Sequence, residues 1–247
     1  MTVAPTSVQP RPEQQQHRSR WVFVAILGFL LGGLAVALLY QLDVFAGSSS
    51  SSATTEGSGV AATQTRDVPA FHGVELAGGN NVVIHVGEKQ SVVVKADDNL
   101  LNRVTTTVES GTLVIGNTPG SLAAKSPMSV EVTVRTLDAL MLAGGGNIVV
   151  NGIKAESLTV ALSGAGNVTG SGAATSLGVK LDGSGNVWFA RVVAKDVRAV
   201  LSGSGNIFVT ATDSLDASVP GSGTIGYSGN PQDVTKSATG SGAITAS

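Results

Sequence analysis

The sequence predicts an all-β protein: a parallel β-helix, or solenoid, of coils of about 19–20 residues, with an N-terminal cap of β-strands and one transmembrane helix before it. Three observations predict this architecture. A Gly-x-Gly motif occurs six times between residues 144 and 242, with starts 20, 19, 20, 18 and 19 residues apart. Apolar residues alternate with small or polar ones on both sides of each motif, which is typical of strands with one buried face. An uncharged run of 20 residues lies near the N-terminus.

The N-terminus is predicted to carry a membrane anchor. Residues 1–20 are rich in Pro and Gln and are expected to form a disordered cytoplasmic tail. Residues 21–42 are expected to form a transmembrane signal-anchor helix, because twenty uncharged residues of helix span a hydrocarbon core of about 30 Å. Three arginines precede this run, so the positive-inside rule keeps the tail in the cytoplasm and exports the C-terminal domain.

A cleaved signal peptide is the alternative for the same segment, with cleavage near Ala46 and a secreted domain as the product. The apolar run is longer than the usual core of about 7–15 residues, which favours the retained anchor and a single-pass membrane protein. Residues 43–65 are predicted to be a flexible Ser/Thr/Gly-rich linker, and residues 66–247 the folded domain.

The part of the domain between residues 66 and about 136 lacks the Gly-x-Gly-Asn motif and is predicted to consist of short strands separated by turns. The predicted strands are Val74–Leu76, Val82–Val86, Ser91–Lys95, Val104–Val108, Thr112–Ile115 and Val130–Val134. One helical turn is expected at Asp97–Arg103. Together these strands are expected to cap the first coil and merge with the stack.

Each coil is predicted to contain a strand, a Gly-x-Gly turn, a second strand and a looser return. Glycine suits the turn because it adopts positive φ at no steric cost, and because a side chain at a stacked corner would collide with the neighbouring coil. The buried rows include Leu181, Phe189 and Val234, whereas Lys236 falls in a buried row of the last, atypical repeat. The turn residues are Gly144, Gly146, Asn147, Gly164, Gly166, Asn167, Gly183, Gly185, Asn186, Gly203, Gly205, Asn206, Gly221, Gly223, Gly240 and Gly242.

The asparagine that follows four of the turns has two interpretations. Stacked amides can form a hydrogen-bonded ladder along the axis of a solenoid. Alternatively, Asn is present only because it fits the turn conformation. The sequence leaves both open.

The composition offers little for catalysis, metal binding or nucleic-acid binding. The chain has no cysteine, which excludes disulfides and thiol chemistry, and His72 and His85 stand alone. Calcium-binding repeats carry Asp where these turns carry Asn, Thr or Ala. Residues 143–247 contain six basic and six acidic residues, with no basic face. We therefore expect a non-enzymatic protein without cofactor or metal and without affinity for nucleic acid.

Trp188 is the main candidate for a surface contact. Its neighbour Phe189 matches a buried row, so Trp188 points outward, either exposed to a partner or covered by a neighbouring segment. Arg191, Lys195 and Arg198 are expected to cluster near one return loop. They would form either a contact for an anionic wall polymer or a solvated corner.

Several segments together carry a resemblance to one bacterial family. They are VPAFHGVEL at 68–76, VVIHV at 82–86, SVVVK at 91–95, DNLL at 98–101, GTLVI at 111–115 and the run of Gly-x-Gly-Asn turns. In these segments the chain resembles the putative auto-transporter adhesin, head GIN domain family, a domain of unknown function, over residues 68 to 246. The resemblance implies a parallel β-helix-like fold, an envelope location and adhesion, but no catalytic or ligand-binding residue. The family often carries Asp where this chain has Asn.

The expected function is that of a membrane-anchored, extracytoplasmic, adhesin-like binding domain of the bacterial cell envelope. A cell-wall glycan or an envelope protein is the expected partner. One alternative is a sensory or regulatory envelope protein that signals through its short cytoplasmic tail. Another is a polysaccharide-active enzyme, against which the scattered positions of the acidic residues argue.

Overall fold

The computed structural model describes residues 54–247, which form a β-solenoid of about five turns with one short 3-10 helix at Asp98–Arg103. The strands are β1 (Thr55–Glu56), β2 (Ala61–Arg66), β3 (Gly73–Leu76), β4 (Asn81–Val86), β5 (Ser91–Asp97), β6 (Val104–Glu109), β7 (Thr112–Asn117), β8 (Leu122–Ala123), β9 (Ser129–Val134), β10 (Ala139–Leu142), β11 (Asn147–Leu162), β12 (Asn167–Leu181), β13 (Asn186–Leu201), β14 (Asn206–Val219), β15 (Thr224–Gly229), β16 (Asp233–Ala238) and β17 (Ala243–Ala246). The predicted tail, transmembrane helix and cleavage site lie outside the described residues. Within residues 54–247, no helix is long and apolar enough to span a bilayer.

Parallel strands stacked coil upon coil form the body of the domain, which confirms the predicted all-β solenoid. Strands β11 to β14 are 14–16 residues long and pair with one another along most of their length. Identical positions therefore form columns, as where Leu181 lies beside Leu162 on one side and Leu201 on the other. The predicted looser return is wrong, because the parallel ladder continues around the coil with only local shifts of register.

Burial alternates along each long strand but breaks twice, which divides a coil into three straight segments separated by corners. In β11 the alternation holds over residues 147–150, 153–155 and 158–162. We call the lateral surfaces built from these segments and their equivalents the first, second and third faces. The inward rows fill the interior with Leu, Ile, Val and Ala, and both Leu181 and Phe189 are fully buried, as predicted.

Antiparallel strands cap the N-terminal end of the stack, and every strand predicted between residues 66 and 136 is present. β6 pairs antiparallel with β7, and β5 pairs antiparallel with β2 and β9. β3, β4, β9 and β10 instead join the parallel coils. Ordered structure begins before the predicted boundary at residue 66. β1 and β2 lie within the range predicted as flexible linker, because β2 completes the otherwise unpaired edge of β5.

Asp97 fastens the start of the domain to a later loop. Its buried carboxylate accepts backbone hydrogen bonds from the N–H groups of Gly59 at 3.2 Å, Lys125 at 2.8 Å and Ser126 at 3.2 Å. The Ser126 hydroxyl above all, and then these N–H groups, hold the pKa of Asp97 below its ordinary value, against the opposing effect of burial. One ionised group thus joins residues 57–59 to the loop at 125–126.

Close approach of adjacent coils, and not positive φ, explains the glycines of the Gly-x-Gly turns. None of these turn glycines has positive φ, so that part of the prediction is wrong. The predicted collision is confirmed, since a Cβ on Gly166 would lie 1.7 Å from the carbonyl oxygen of Gly146. A Cβ on Gly183 would likewise lie 2.0 Å from the oxygen of Gly164. The middle position is open, because a Cβ on Gly145 would meet nothing within 4 Å.

The asparagines after the turns form a hydrogen-bonded ladder, which decides between the two interpretations. Each Nδ2 donates to the Oδ1 of the preceding coil, from Asn206 to Asn186 at 2.9 Å, from Asn186 to Asn167 at 2.9 Å and from Asn167 to Asn147 at 3.0 Å. Asn147 donates in turn to Asn81 at 3.0 Å. All four bonds point in the same direction along the axis.

The participation of Asn81 reveals a seventh turn that the motif search did not predict. Residues 78–81 stack on residues 144–147, with Asn80 in the place of the second glycine. The Asn80 side chain is buried and its Nδ2 donates to Oδ1 of Asn117 at 3.0 Å. The Asn-Val pair at 81–82, directly after a Gly-Gly-Asn sequence, is the signal that could have identified this turn.

The C-terminal coil is atypical, as expected for the end of a solenoid. Every residue of β16 is exposed, and within the described chain β16 pairs with β14 alone. Val234, predicted to be buried, is 42% exposed, because the coil packs against it from one side only. Lys236 continues an inward row, and its Nζ lies 4.5 Å from the centre of the Tyr227 ring.

Candidate functional site

Trp188 projects outward from the first face and is 45% exposed. Its indole stacks on the ring of Phe208, which lies beside it on the next coil, with ring centres 4.3 Å apart and planes 6° from parallel. Phe208 therefore covers one side of the indole. The other side is directed toward the preceding coil, where the neighbour in register is the small residue Thr169. Trp188 is thus a supported aromatic ring with one side open.

The buried neighbour Phe189 fixes this orientation. Its ring reaches over Gly170 of the preceding coil, where a Cβ would lie 2.7 Å from the Phe189 Cε1 atom. The absence of a side chain at Gly170 provides the volume that the Phe189 ring occupies. Reversing the strand to bury Trp188 would remove Phe189 from this space and expose it, so sequence and packing agree on which aromatic residue faces outward.

The first face carries two outward rows that run parallel to the axis. One is the amide ladder of the asparagines. The other contains Trp188, and its members in register include Val83, Val149, Thr169, Phe208 and Gly226. Trp188 and Phe208 are the aromatic members of this row, which also contains two valines, and Val149 is 36% exposed. The aromatic pair therefore carries the largest side chains of this row.

Arg191 lies at the corner that ends the first face, on a bulge of β13. Between the pairs Thr169–Trp188 and Ser171–Arg191, β13 advances three residues while β12 advances two. The register with β14 shifts again directly after Phe189. A bulge redirects side chains away from the regular ladder and is frequent next to binding sites. Arg191 is exposed there, close in sequence to Trp188.

The structure does not bring Arg191, Lys195 and Arg198 together in a return loop. All three residues lie on β13, where the chain is a continuous strand and not a return loop, and corners of the coil separate their side chains. Arg198 lies on the third face and forms an ion pair with Asp216 of the next coil. Lys195 lies at the corner between the second and third faces. The residues predicted as surface contacts were Trp188, Arg191 and Arg198. Trp188 and Arg191 lie close together in the sequence of β13, whereas Arg198 lies on another face.

The remaining titratable groups are dispersed. Nδ1 of His72 lies 2.9 Å from Oδ1 of Asp138, and both side chains are about half exposed, whereas His85 is an exposed residue of β4. Across residues 54–247, no group of three or more His, Cys, Asp or Glu side chains could hold a metal ion. The chemistry that the first face offers is therefore stacking and hydrogen bonding.

One carboxyl group is buried away from this site. Glu75 is 8% exposed on the third face, between Val114 of β7 and Met141 of β10. Burial raises the pKa of Glu75 above its ordinary value, and the nearby charge of Glu109 raises it further. Because Glu75 lies on the third face and Trp188 on the first, the raised pKa of Glu75 does not bear on the surroundings of Trp188.

Comparison with known proteins identifies a family and solved structures that are similar to this chain. A family model described as "putative auto-transporter adhesin, head GIN domain" matches residues 70–231. No curated protein matches the sequence. The crystal structure of a putative adhesin from Bacteroides fragilis is similar with a TM-score of 0.67 and 24% identity, covering 78% of this chain and 100% of that protein.

Two crystal structures from Parabacteroides distasonis also share the fold. A putative lipid binding protein matches with a TM-score of 0.51 and 22% identity, and a putative adhesin with a TM-score of 0.52 and 20% identity. Each match covers 79% of this chain and 100% of the other protein. At these identities the similarity concerns the fold.

Proposed function

Because the chain belongs to the putative auto-transporter adhesin, head GIN domain family, we propose that it is an adhesin-like, non-enzymatic binding domain of the bacterial cell envelope. The observation that carries this proposal is the exposed indole of Trp188, held on the first face by its stacking on Phe208. A rigid aromatic side chain contributes much contact area at low conformational cost, which is why Trp dominates many binding surfaces.

The side chains around Trp188 support binding without turnover. The side chains around Trp188 are amides, hydroxyls and apolar groups, and the nearest basic residue along the strand is Arg191. General acid–base or nucleophilic catalysis needs titratable groups within hydrogen-bond reach of one another. The partner class we propose is a cell-wall glycan or an envelope protein.

We also propose that the domain is held at the membrane by residues 21–42, with the N-terminus in the cytoplasm and the C-terminal domain outside. The support is the uncharged run of 20 residues and the three arginines before it. Mass spectrometry of the mature protein tests this topology. A mature chain that begins at Gly47 would show that the segment is cleaved and the domain secreted, which would contradict the anchor.

Substitution of Trp188 tests the binding function. The full-length Trp188→Ala variant is expected to lose most of its binding to cell-wall glycan arrays and isolated envelopes. Its free energy of unfolding should change by about 1–1.5 kcal/mol or less, since the variant loses an exposed ring and one stacking contact. Val234→Ala removes an exposed apolar side chain from the terminal coil and serves as the control. Catalytic cleavage of any glycan by the wild type would contradict the proposal.

A further inference from the structure

A furrow one coil wide crosses the first and second faces beside Trp188. Its floor is formed by β12, where four outward residues are all small: Thr169, Ser171, Ala173 and Thr175. On the C-terminal side each of these abuts a larger side chain of β13. The abutting residues, from one end of the furrow to the other, are Trp188, Arg191, Val193 and Lys195. The opposite bank, on β11, carries Val149, Asn151, Lys154 and Glu156.

The furrow has the width of a single extended polymer. Its banks are two inter-strand spacings apart, about 9–10 Å, and its length follows the strand direction across one corner. Part of the furrow is a depression of about 550 Å³, whose lining includes Lys154, Ala173, Val193 and Lys195 and extends to Thr212 of β14. Val193 is 49% exposed there, so the wall of the depression includes an uncovered apolar side chain.

The charge of the furrow is positive, although the repeat region as a whole is balanced. The two banks carry three basic side chains, Lys154, Arg191 and Lys195, and one acidic side chain, Glu156. The excess is two positive charges. Among the described residues, neither Lys154 nor Lys195 forms an ion pair. Asp196 follows Lys195 but is held toward the next coil, where the Ser214 hydroxyl donates to its carboxylate at 2.6 Å.

The hydroxyl groups of the furrow floor and the Trp188 ring are groups that can bind a sugar. The hydroxyls of Thr169, Ser171 and Thr175 make no hydrogen bond to another described residue and are available to ring hydroxyls of a ligand. The open side of the Trp188 indole, opposite Phe208, is directed at the furrow above Thr169. An aromatic ring in this position can stack on the apolar side of a pyranose.

The spacing of the cations distinguishes between polyanions. Arg191 and Lys195 are four residues apart along the strand, about 13 Å or less across the corner. A nucleic-acid strand carries one charge per about 3.4 Å of helix axis and would find few partners in this furrow. A polysaccharide with an acidic group on some of its sugar units matches both the sparse charges and the neutral hydroxyl floor.

We propose that this furrow binds an extended acidic polysaccharide across the solenoid axis, with a sugar ring on the open side of Trp188 and its carboxylates at Arg191, Lys195 and Lys154. This inference rests on the proposed binding function and adds the ligand class and the direction in which the ligand lies. It also assigns roles to Lys154, Ala173 and Lys195, which lie away from the aromatic pair.

Binding of oligogalacturonate to the full-length chain in detergent tests the ligand class. Its carboxyl-reduced neutral counterpart, oligothymidylate and polyglutamate serve as comparison probes. We expect oligogalacturonate to bind at least tenfold more tightly than each of the three, with an affinity that falls as salt is added. Equal or tighter binding of oligothymidylate or polyglutamate would overturn the assignment of a polysaccharide, and equal binding of the neutral sugar would overturn the role of the cations.

Two variants test the furrow itself. The double change Lys154→Gln and Lys195→Gln is expected to weaken oligogalacturonate binding about tenfold, the size that two exposed ion pairs together provide. The matched control changes Lys89→Gln and Lys125→Gln, two exposed lysines outside the furrow. Ala173→Gln fills the floor without changing the charge and should abolish most of the remaining binding. Its control is Ala143→Gln, at an exposed turn position.

The outcomes separate the furrow from the broader function. If Trp188→Ala abolishes binding while the furrow variants bind like the wild type, the lateral-face function stands and the furrow proposal is wrong. If neither class of variant affects binding, both proposals are wrong. Melting temperatures near that of the wild type show that each variant is folded, because all of these side chains are exposed.

Discussion

A Cβ added to Gly185 would lie 1.8 Å from the carbonyl oxygen of Gly166, on the coil directly before it. No side chain fits at such a distance, so an alanine at this position must push two coils apart. We expect Gly185→Ala to lower the free energy of unfolding by about 2–3 kcal/mol, the usual cost of overpacking or more. Gly145→Ala is the matched control, since a Cβ there meets nothing within 4 Å. Urea unfolding measures both, and equal stability of the two variants would contradict the close-approach explanation.

The amide ladder gives a second prediction. Asn167→Ala removes the bond that Asn167 donates to Asn147 and the bond that it accepts from Asn186, at 3.0 and 2.9 Å. At about 1 kcal/mol for each hydrogen bond, the loss should be about 1–2 kcal/mol. Asn151→Ala is the control, because the Asn151 side chain makes no hydrogen bond to another described residue. A ladder of no energetic importance would leave both variants equally stable in thermal unfolding.

Asp97 should make the domain sensitive to acid. Its pKa is lower in the folded protein than in the unfolded chain, so its stabilising contribution is present above the unfolded value of about 3.9 and is lost as the pH falls through the folded value. Asp97→Asn is therefore expected to be less stable than the wild type at neutral pH, with the difference shrinking in acid below about pH 4. Urea midpoints measured across this range test the sign. A constant difference at all pH values would show that the Asp97 charge has no such role.

Glu75 should have the opposite effect. Its pKa is raised on folding, so its favourable contribution is present below the unfolded value of about 4.3 and is lost as the pH rises through the folded value. Glu75→Gln keeps the shape of the side chain without the charge and should raise the melting temperature at neutral pH, but leave it unchanged in acid. Glu88→Gln, at an exposed turn, is the control. A neutral-pH melting temperature below that of the wild type would contradict the expectation.

The repeating body of the fold can be predicted from the sequence because each coil has the same alternation of apolar residues and the same type of turn. Leu181 and Phe189 are placed correctly by alternation alone, since a period of two leaves no other face for them. The same rule fails at Val234, because burial there depends on a further coil that the described chain does not supply. The seventh turn escaped the motif because Asn80 replaces a glycine, and its buried amide is satisfied by a distant residue, Asn117.

The candidate site was less predictable than the fold. That Trp188 faces outward follows from the strand period, but its stacking on Phe208 depends on which residues of two coils come into register. The separation of Arg198 from Arg191 depends on where the coil turns its corners, and the spacing of charges along the chain does not contain that information. Lys154 and Val193 lie in the same furrow although they are 39 positions apart in the sequence. No local sequence pattern could therefore show that they are close together.

The lysine at the end of the stack bears on the risk of fibre growth. A stack of near-identical rungs with a bare final strand is a template on which another molecule could add its own first rung, and then another, without limit. At Lys236 the row that is apolar in the coils before it ends in an ammonium group, drawn over the Tyr227 ring. A chain that docked on this edge would have to remove water from that charge, which is costly where the charge gains no partner. We therefore expect the inward lysine to disfavour end-to-end association at this edge of the described stack.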